Sequence, residues 1–272
     1  MNSWAALAEW PFEPLLWLTL MLLVGAYVRA ARLLRWSLRR TLSFVAGAIV
    51  VAVALCSPVA LYSEGLLSVH MVQHLLLTQV AAPLLVMGAP VALALRGAPT
   101  GARARIAPLV HSPSLRTLSH PAAGWLLLAA VMWGSHFSLL YDRALETPFA
   151  HVFEHTLYLG AALLFWWPLA GIDPGAHRLL RAWRLGYLLL AVPVQSFLGL
   201  AIYSSSEILY PHYEGVARSW GPDALADQRL GGAIMWLGGD ALFLIAFMVL
   251  AWAWLGSEEH EQRRMDRRLG LR

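Results

Sequence analysis

A chain of 272 residues that is 59% hydrophobic and only 13% charged has too little polar surface to fold in water, which excludes an ordinary soluble domain. All twenty basic residues are arginine and the formal charge is only +4, a balance that excludes a nucleic-acid binder driven by a continuous basic surface. The single cysteine, Cys56, allows no intrachain disulfide and no thiol pair, so metal or redox chemistry has to use other ligands.

A helix needs about 20 apolar residues to cross the hydrocarbon of a bilayer. Seven such runs follow one another, near 14–30, 41–61, 66–90, 121–140, 148–169, 184–206 and 231–255. They predict an all-α, polytopic membrane protein, a single seven-helix transmembrane domain over 1–272. Met1 to Glu13 holds no basic residue, so the first run reads as a retained anchor rather than a signal peptide. Pro83 and Pro90 predict a kink in the third run, with Val91 to Leu95 leaving the membrane. The thirteen tryptophans suit the two headgroup interfaces, where indole rings collect.

Arginine placement sets the orientation, because basic residues are retained on the cytoplasmic side. Five arginines lie between runs one and two, four between three and four, three between five and six, and five after run seven. Only Arg143, Arg218 and Arg229 remain for the other side. That bias requires an odd span count, with the N-terminus outside and the C-terminus inside. Function then falls to the membrane body and its outer face, where only the stretch Glu207 to Arg229 forms a long loop.

The ten histidines divide by this topology. His111, His120, His177 and His260 lie in arginine-rich inner segments and read as solvated or headgroup-facing. His70 and His74 open the third run, His136 ends the fourth, His151 and His155 open the fifth, and His212 sits in the long outer loop. With a rise of 1.5 Å per residue, His74 and His155 lie no deeper than roughly 12 Å below the outer boundary, so five histidines on three consecutive spans share one depth. The pairs His70/His74 and His151/His155 are i,i+4 neighbours that each project from one helical face, a spacing that brings two imidazoles to one metal ion. One histidine in a span reads most simply as an interhelical hydrogen bond. Two pairs and a fifth at equal depth point to a metal site, since polar side chains in hydrocarbon are costly.

The candidate ligands are therefore His70, His74, His136, His151 and His155, with Met71, Glu154 and His212 as accessory contacts and Asp142 and Glu146 in the adjoining loop. Imidazole with thioether suits copper, and imidazole with carboxylate also suits zinc. Met71 and Cys56 read more simply as core packing. Asp240, inside the seventh run, is open between proton relay and interhelical pairing. His151–Val–Phe–Glu154–His155 also reads H-x-x-E-H, in which two histidines bind zinc and the glutamate activates water. A b-type haem held by facing histidines of spans three and five is a further alternative.

The chain resembles the seven-helix CtaG-type assembly factors of the caa3 group of cytochrome c oxidases. The resemblance is carried by Trp10–Pro–Phe12–Glu–Pro14, Ser57–Pro58, His70–Met–Val–Gln–His74, Ala82–Pro83–Leu–Leu, Gly88–Ala–Pro90, His136 with Tyr141–Asp142, and His151–Val–Phe–Glu–His155 with Phe165–Trp–Trp–Pro168. Tyr210–Pro211, Asp227–Gln228 and Gly232–Ala–Ile–Met235–Trp236 complete it. Ser138 stands where that family usually has proline, and Pro83 where it has a double proline. The resemblance implies a multi-pass protein of the bacterial inner membrane, not an enzyme. It would help mature the copper centres of a haem-copper oxidase on the outer side, with oxidase subunits and a periplasmic copper donor as partners.

Overall fold

The computed structural model describes residues 13–137, 147–174, 177, 179–216 and 221–268. It is all-helical, with no strand among the described residues. The helices are α1 (Pro14–Leu33), α2 (Leu38–Cys56), α3 (Pro58–Ser63), α4 (Leu67–Leu75), α5 (Ala82–Met87), α6 (Pro90–Gly97), α7 (Thr100–Val110) and α8 (Pro113–Leu118). They continue as α9 (Pro121–His136), α10 (Pro148–Ala170), α11 (Arg181–Ser204), α12 (Pro211–Gly215), α13 (Ala224–Ala233) and α14 (Gly239–Arg268). Two π-helical turns, Leu76–Ala81 and Ile234–Gly238, join α4 to α5 and α13 to α14.

Proline punctuates this chain. α1, α3, α6, α8, α9, α10 and α12 all begin on it, at the position where a missing N–H costs nothing and a fixed φ favours the helix. Among the described residues, five stretches are long and apolar enough to cross a membrane: Pro14–Leu33, Leu38–Cys56, Leu67–Gly97, Arg181–Ser204 and Ala224–Gly256. The other two expected spans fall short for separate reasons. α9 has 16 residues, about 24 Å against roughly 30 Å of hydrocarbon. α10 has ample length at 23 residues, but its first turns carry His151, Glu154 and His155.

The third run is less regular than a proline kink. Its helix widens into the π turn directly after His74 and breaks at Ala89, which adopts a left-handed φ of 51°. Val91 to Leu95 then continue as α6. The segment between the third and fourth runs folds into α7 and α8. His111 caps the end of α7, and the His120 ring accepts from Ala122 N–H at the start of α9. Trp10 to Phe12, Ser138, Tyr141, Asp142, Arg143, Glu146, Arg178 and Arg218 lie outside the described residues.

The largest apolar core joins α4, α9, α10, α11 and α14 around Tyr158, Phe165, Leu188, Leu198 and Met235. Polar side chains stitch the packing where helical hydrogen bonds are missing. Pro58 has no N–H for the carbonyl of Ala54, and Gln73 of α4 donates to that oxygen at 2.8 Å, fastening α4 to α2. Thr78 lies in the first π turn, and Trp166 of α10 donates to its carbonyl at 2.8 Å. Asp240 is resolved as an interhelical partner, accepting from Ser196 of α11 at 2.6 Å. Cys56 is fully buried at the end of α2.

Candidate metal centre

α4 and α10 run beside each other at the end of the bundle where both begin. Each presents its i,i+4 pair to the other, with ring centroids 4.3 Å apart in His70/His74 and 4.3 Å apart in His151/His155. Across the interface His155 lies 6.0 Å from His70 and 5.9 Å from His74, centroid to centroid. Glu154 closes the gap, with its carboxylate 3.8 Å from His70 Nε2. One ligand atom from each of His70, His74, Glu154 and His155 lies within 4.8 Å of the others, and all four residues are buried. A tetrahedral ion with bonds near 2.0 Å holds its ligands about 3.3 Å apart, so the set fits one ion after drawing together by about 1.5 Å.

The histidines expected with them sit at the margin. His151 stacks over His70 at 6.3 Å and is half-buried, while His136 of α9 approaches His74 edge-on at 5.7 Å. His212 lies outside the tight set, its ring nitrogen 3.2 Å from the Glu64 carbonyl and its ring against Tyr213. Met71 is fully buried in the apolar core, where its Cγ would lie 3.3 Å from a Cβ at Gly231 of α13. The thioether thus packs against α13. The tight set offers imidazole nitrogen and carboxylate oxygen.

Two features mark this cluster as more than packing. Both ring nitrogens of His74, Nε2 of His151 and of His155, and both oxygens of Glu154 are buried with no hydrogen-bond partner among the described residues. Each such group costs about 1–3 kcal/mol, so a bundle selected for stability alone would not gather them. One donor atom each of His74, Glu154 and His155 also lies close to the others, which is what a cation requires. Second, one ring tautomer is set from behind. His136 Nδ1 lies 2.7 Å from the carbonyl of Met132. That bond, one turn back along the helix, holds the proton on Nδ1 and leaves Nε2 as the free donor atom.

Tyr158 is a residue the sequence reading missed. Its ring lies 4.0 Å from that of His74, and its hydroxyl meets His136 Nδ1 at 2.9 Å and the Ser135 hydroxyl. The signal was available, because 151, 155 and 158 follow one another along one helical stripe.

A family model described as cytochrome c oxidase caa3 assembly factor (Caa3_CtaG) matches residues 22–257, a stretch that contains every residue of the cluster. Uncharacterized proteins of Mycobacterium bovis and Mycobacterium tuberculosis are each 31% identical over 274 residues, covering 96% of this chain and 42% of their own length. One of Mycobacterium leprae is 31% identical over 271 residues, covering 95% and 41%. The chain therefore spans about two-fifths of the length of these relatives. No solved structure matches. With the matched stretch extending from α1 into α14, the chain belongs to the cytochrome c oxidase caa3 assembly factor family.

Proposed function

We propose that the protein carries a copper ion between the outer ends of α4 and α10 and passes it to a haem-copper oxidase subunit during assembly. The observation that supports this reading most is the convergence of His70, His74, Glu154 and His155, all buried and drawn from two helices. Copper is cargo here, so no bond of a substrate is made or broken and the protein is not an enzyme. Half-buried His151, beside both His155 and His70, is the exit ligand, from which the ion meets a partner's donors. Family membership supports a role in oxidase assembly, and copper is one of the oxidase metals that imidazole ligands suit.

The zinc-hydrolase reading fits less well. It makes His151 and His155 the ligands and keeps Glu154 off the metal as a base, whereas Glu154 belongs to the tight set and His151 flanks it. A haem needs an open slab between two facing rings, and these donors close on a point instead. Metal analysis after mild purification is expected to give copper in a simple ratio to protein, and stoichiometric zinc without copper would overturn the assignment. Glu154→Gln is expected to weaken copper binding at least tenfold and to leave oxidase activity that added copper restores. In a hydrolase the same change would keep the metal and lose turnover.

The arrangement proposed in the bilayer is seven spans in a bacterial inner membrane, N-terminus outside, C-terminus cytoplasmic, with the site at the periplasmic side. α9 and α10 join the five long apolar stretches as a pair, which brings the count to seven and keeps it odd, as the arginine asymmetry requires. Reporter fusions after Arg105 and Arg181 are expected to read cytoplasmic, and fusions near Tyr62 and Pro222 external. A cytoplasmic signal at Tyr62 would remove the cluster from the outer side.

A further inference from the structure

α4 carries half of the metal cluster, yet it starts without a cap of its own. Leu66 stands at its N-cap and has no side-chain oxygen to offer the orphan N–H groups of the first turn. Those groups are met instead by a residue about 160 positions further on. Asp227 of α13 is fully buried, and its carboxylate accepts from Leu67 N–H at 2.7 Å, from Ser68 N–H at 3.3 Å and from the Ser68 hydroxyl. An anionic acceptor at a helix N-terminus is electrostatically matched to the helix dipole. α13 also lies close along α4, since a Cβ at Gly231 would be 3.3 Å from both Leu67 and Met71. The contact is therefore a cap, a charge and a backbone approach at once, and His70 and His74 follow it by one and two turns.

We propose that Asp227 is a positioning residue for the metal site: it fixes the rotation and depth of α4 so that His70 and His74 meet Glu154 and His155. This rests on the reading of that cluster as a metal site. The size of the effect follows from geometry. Side-chain ends lie about 5–6 Å from a helix axis, so a rotation of 20° moves an imidazole nitrogen by about 2 Å. Ligand atoms already spread over 4.8 Å do not converge on one ion after such a shift. The next residue extends the same function outward. Gln228 accepts from Leu209 N–H at 2.7 Å and donates to the Glu207 carbonyl at 3.0 Å, so α13 grips the outer loop with one side chain and the metal-bearing helix with its neighbour.

The test uses the full chain in detergent, titrated with Cu(II) and followed by electron paramagnetic resonance and thermal melting. Asp227→Ala is expected to weaken Cu(II) binding ten- to a hundredfold and to replace one spectrum by a mixture, the size of effect seen when groups that orient ligands are lost. Asp227→Asn, which keeps one acceptor oxygen, falls between. Asp223→Ala is the control: Asp223 caps α13 itself, accepting from Ala226 N–H at 2.8 Å, so its loss should lower the melting temperature and leave affinity and spectrum at wild-type values. Ser68→Ala removes one bond of the contact and should give a small shift in the direction of Asp227→Ala, which keeps the question answerable if that variant fails to accumulate. Wild-type binding and spectrum in Asp227→Asn and Ser68→Ala would overturn the proposal and leave the metal site standing. Affinity falling in step with melting temperature in every variant, Asp223→Ala included, would overturn it too, as a structural role only. A wild-type protein that binds no Cu(II) would remove the metal reading itself, and this inference with it.

Discussion

Alanine at His74 or His155 is expected to abolish stoichiometric copper binding and the oxidase activity that depends on it, while alanine at His111 or His177 leaves both intact. His74 and His155 each supply a buried ligand atom to the four-residue set, and the three donors that remain leave one side of a four-coordinate ion open. His111 and His177 lie outside that set. The stability of the metal-free variants adds a second signature. His74→Ala opens a cavity, which costs stability, but it also removes two buried nitrogens that have no hydrogen-bond partner, which returns some. The metal-free melting temperature is expected to change little. The difference appears on adding copper, which at a thousandfold excess over Kd stabilises a binding-competent protein by about 4 kcal/mol and leaves these variants unmoved. Equal copper-induced stabilisation in all four would place the site elsewhere.

The second large effect is expected at Gly232. α11 and α13 touch backbone to backbone: a Cβ at Gly232 would lie 2.5 Å from Tyr203 N and 2.8 Å from the Gly199 carbonyl, and one at Gly199 would lie 2.6 Å from Trp236 N. No side chain can swing aside at these contacts, so the helices themselves must part. Overpacking of even yielding cores costs about 1–3 kcal/mol, and Gly232→Val should exceed that, seen as loss of monodisperse protein in detergent. Gly25→Ala is the counterpart, because nothing lies within 4 Å of a Cβ there. It is expected to be neutral or stabilising by up to about 1 kcal/mol. A well-folded Gly232→Val protein would contradict the crossing.

The helices and the chemistry were legible in the sequence to different depths. Apolar runs at 14–30 and 184–206 foreshadow Pro14–Leu33 and Arg181–Ser204 within a few residues, because length and hydropathy are local properties. The break at Ser57–Pro58 and the two π turns were not legible, since they depend on which neighbouring helix takes the freed carbonyls, as Gln73 does for Ala54. Within the site the i,i+4 pairs gave the right helical faces. They did not rank their neighbours. Met71 sits about 100° round α4 from His70, which turns it toward α13, whereas Glu154 lies on the arc between α10 and α4 and enters the cluster. Asp227 stood among the residues that carried the family resemblance, but its partners are about 160 positions away, a pairing no single sequence reveals.

The polar opening of α10 has a consequence for how the protein is made. In the seven-span arrangement, a segment carrying His151, Glu154 and His155 partitions poorly into hydrocarbon by itself, and its natural shelter is the face of α4 that already carries His70 and His74. That face leaves the ribosome about 80 residues earlier, which at roughly 5–20 residues per second amounts to about 4–16 s of synthesis. During this interval the nascent chain holds two imidazoles at the membrane surface without the other half of the chelate. In the reading proposed above, the set of His70, His74, Glu154 and His155 is complete only once α10 has arrived, so capture of the ion follows the synthesis of α10.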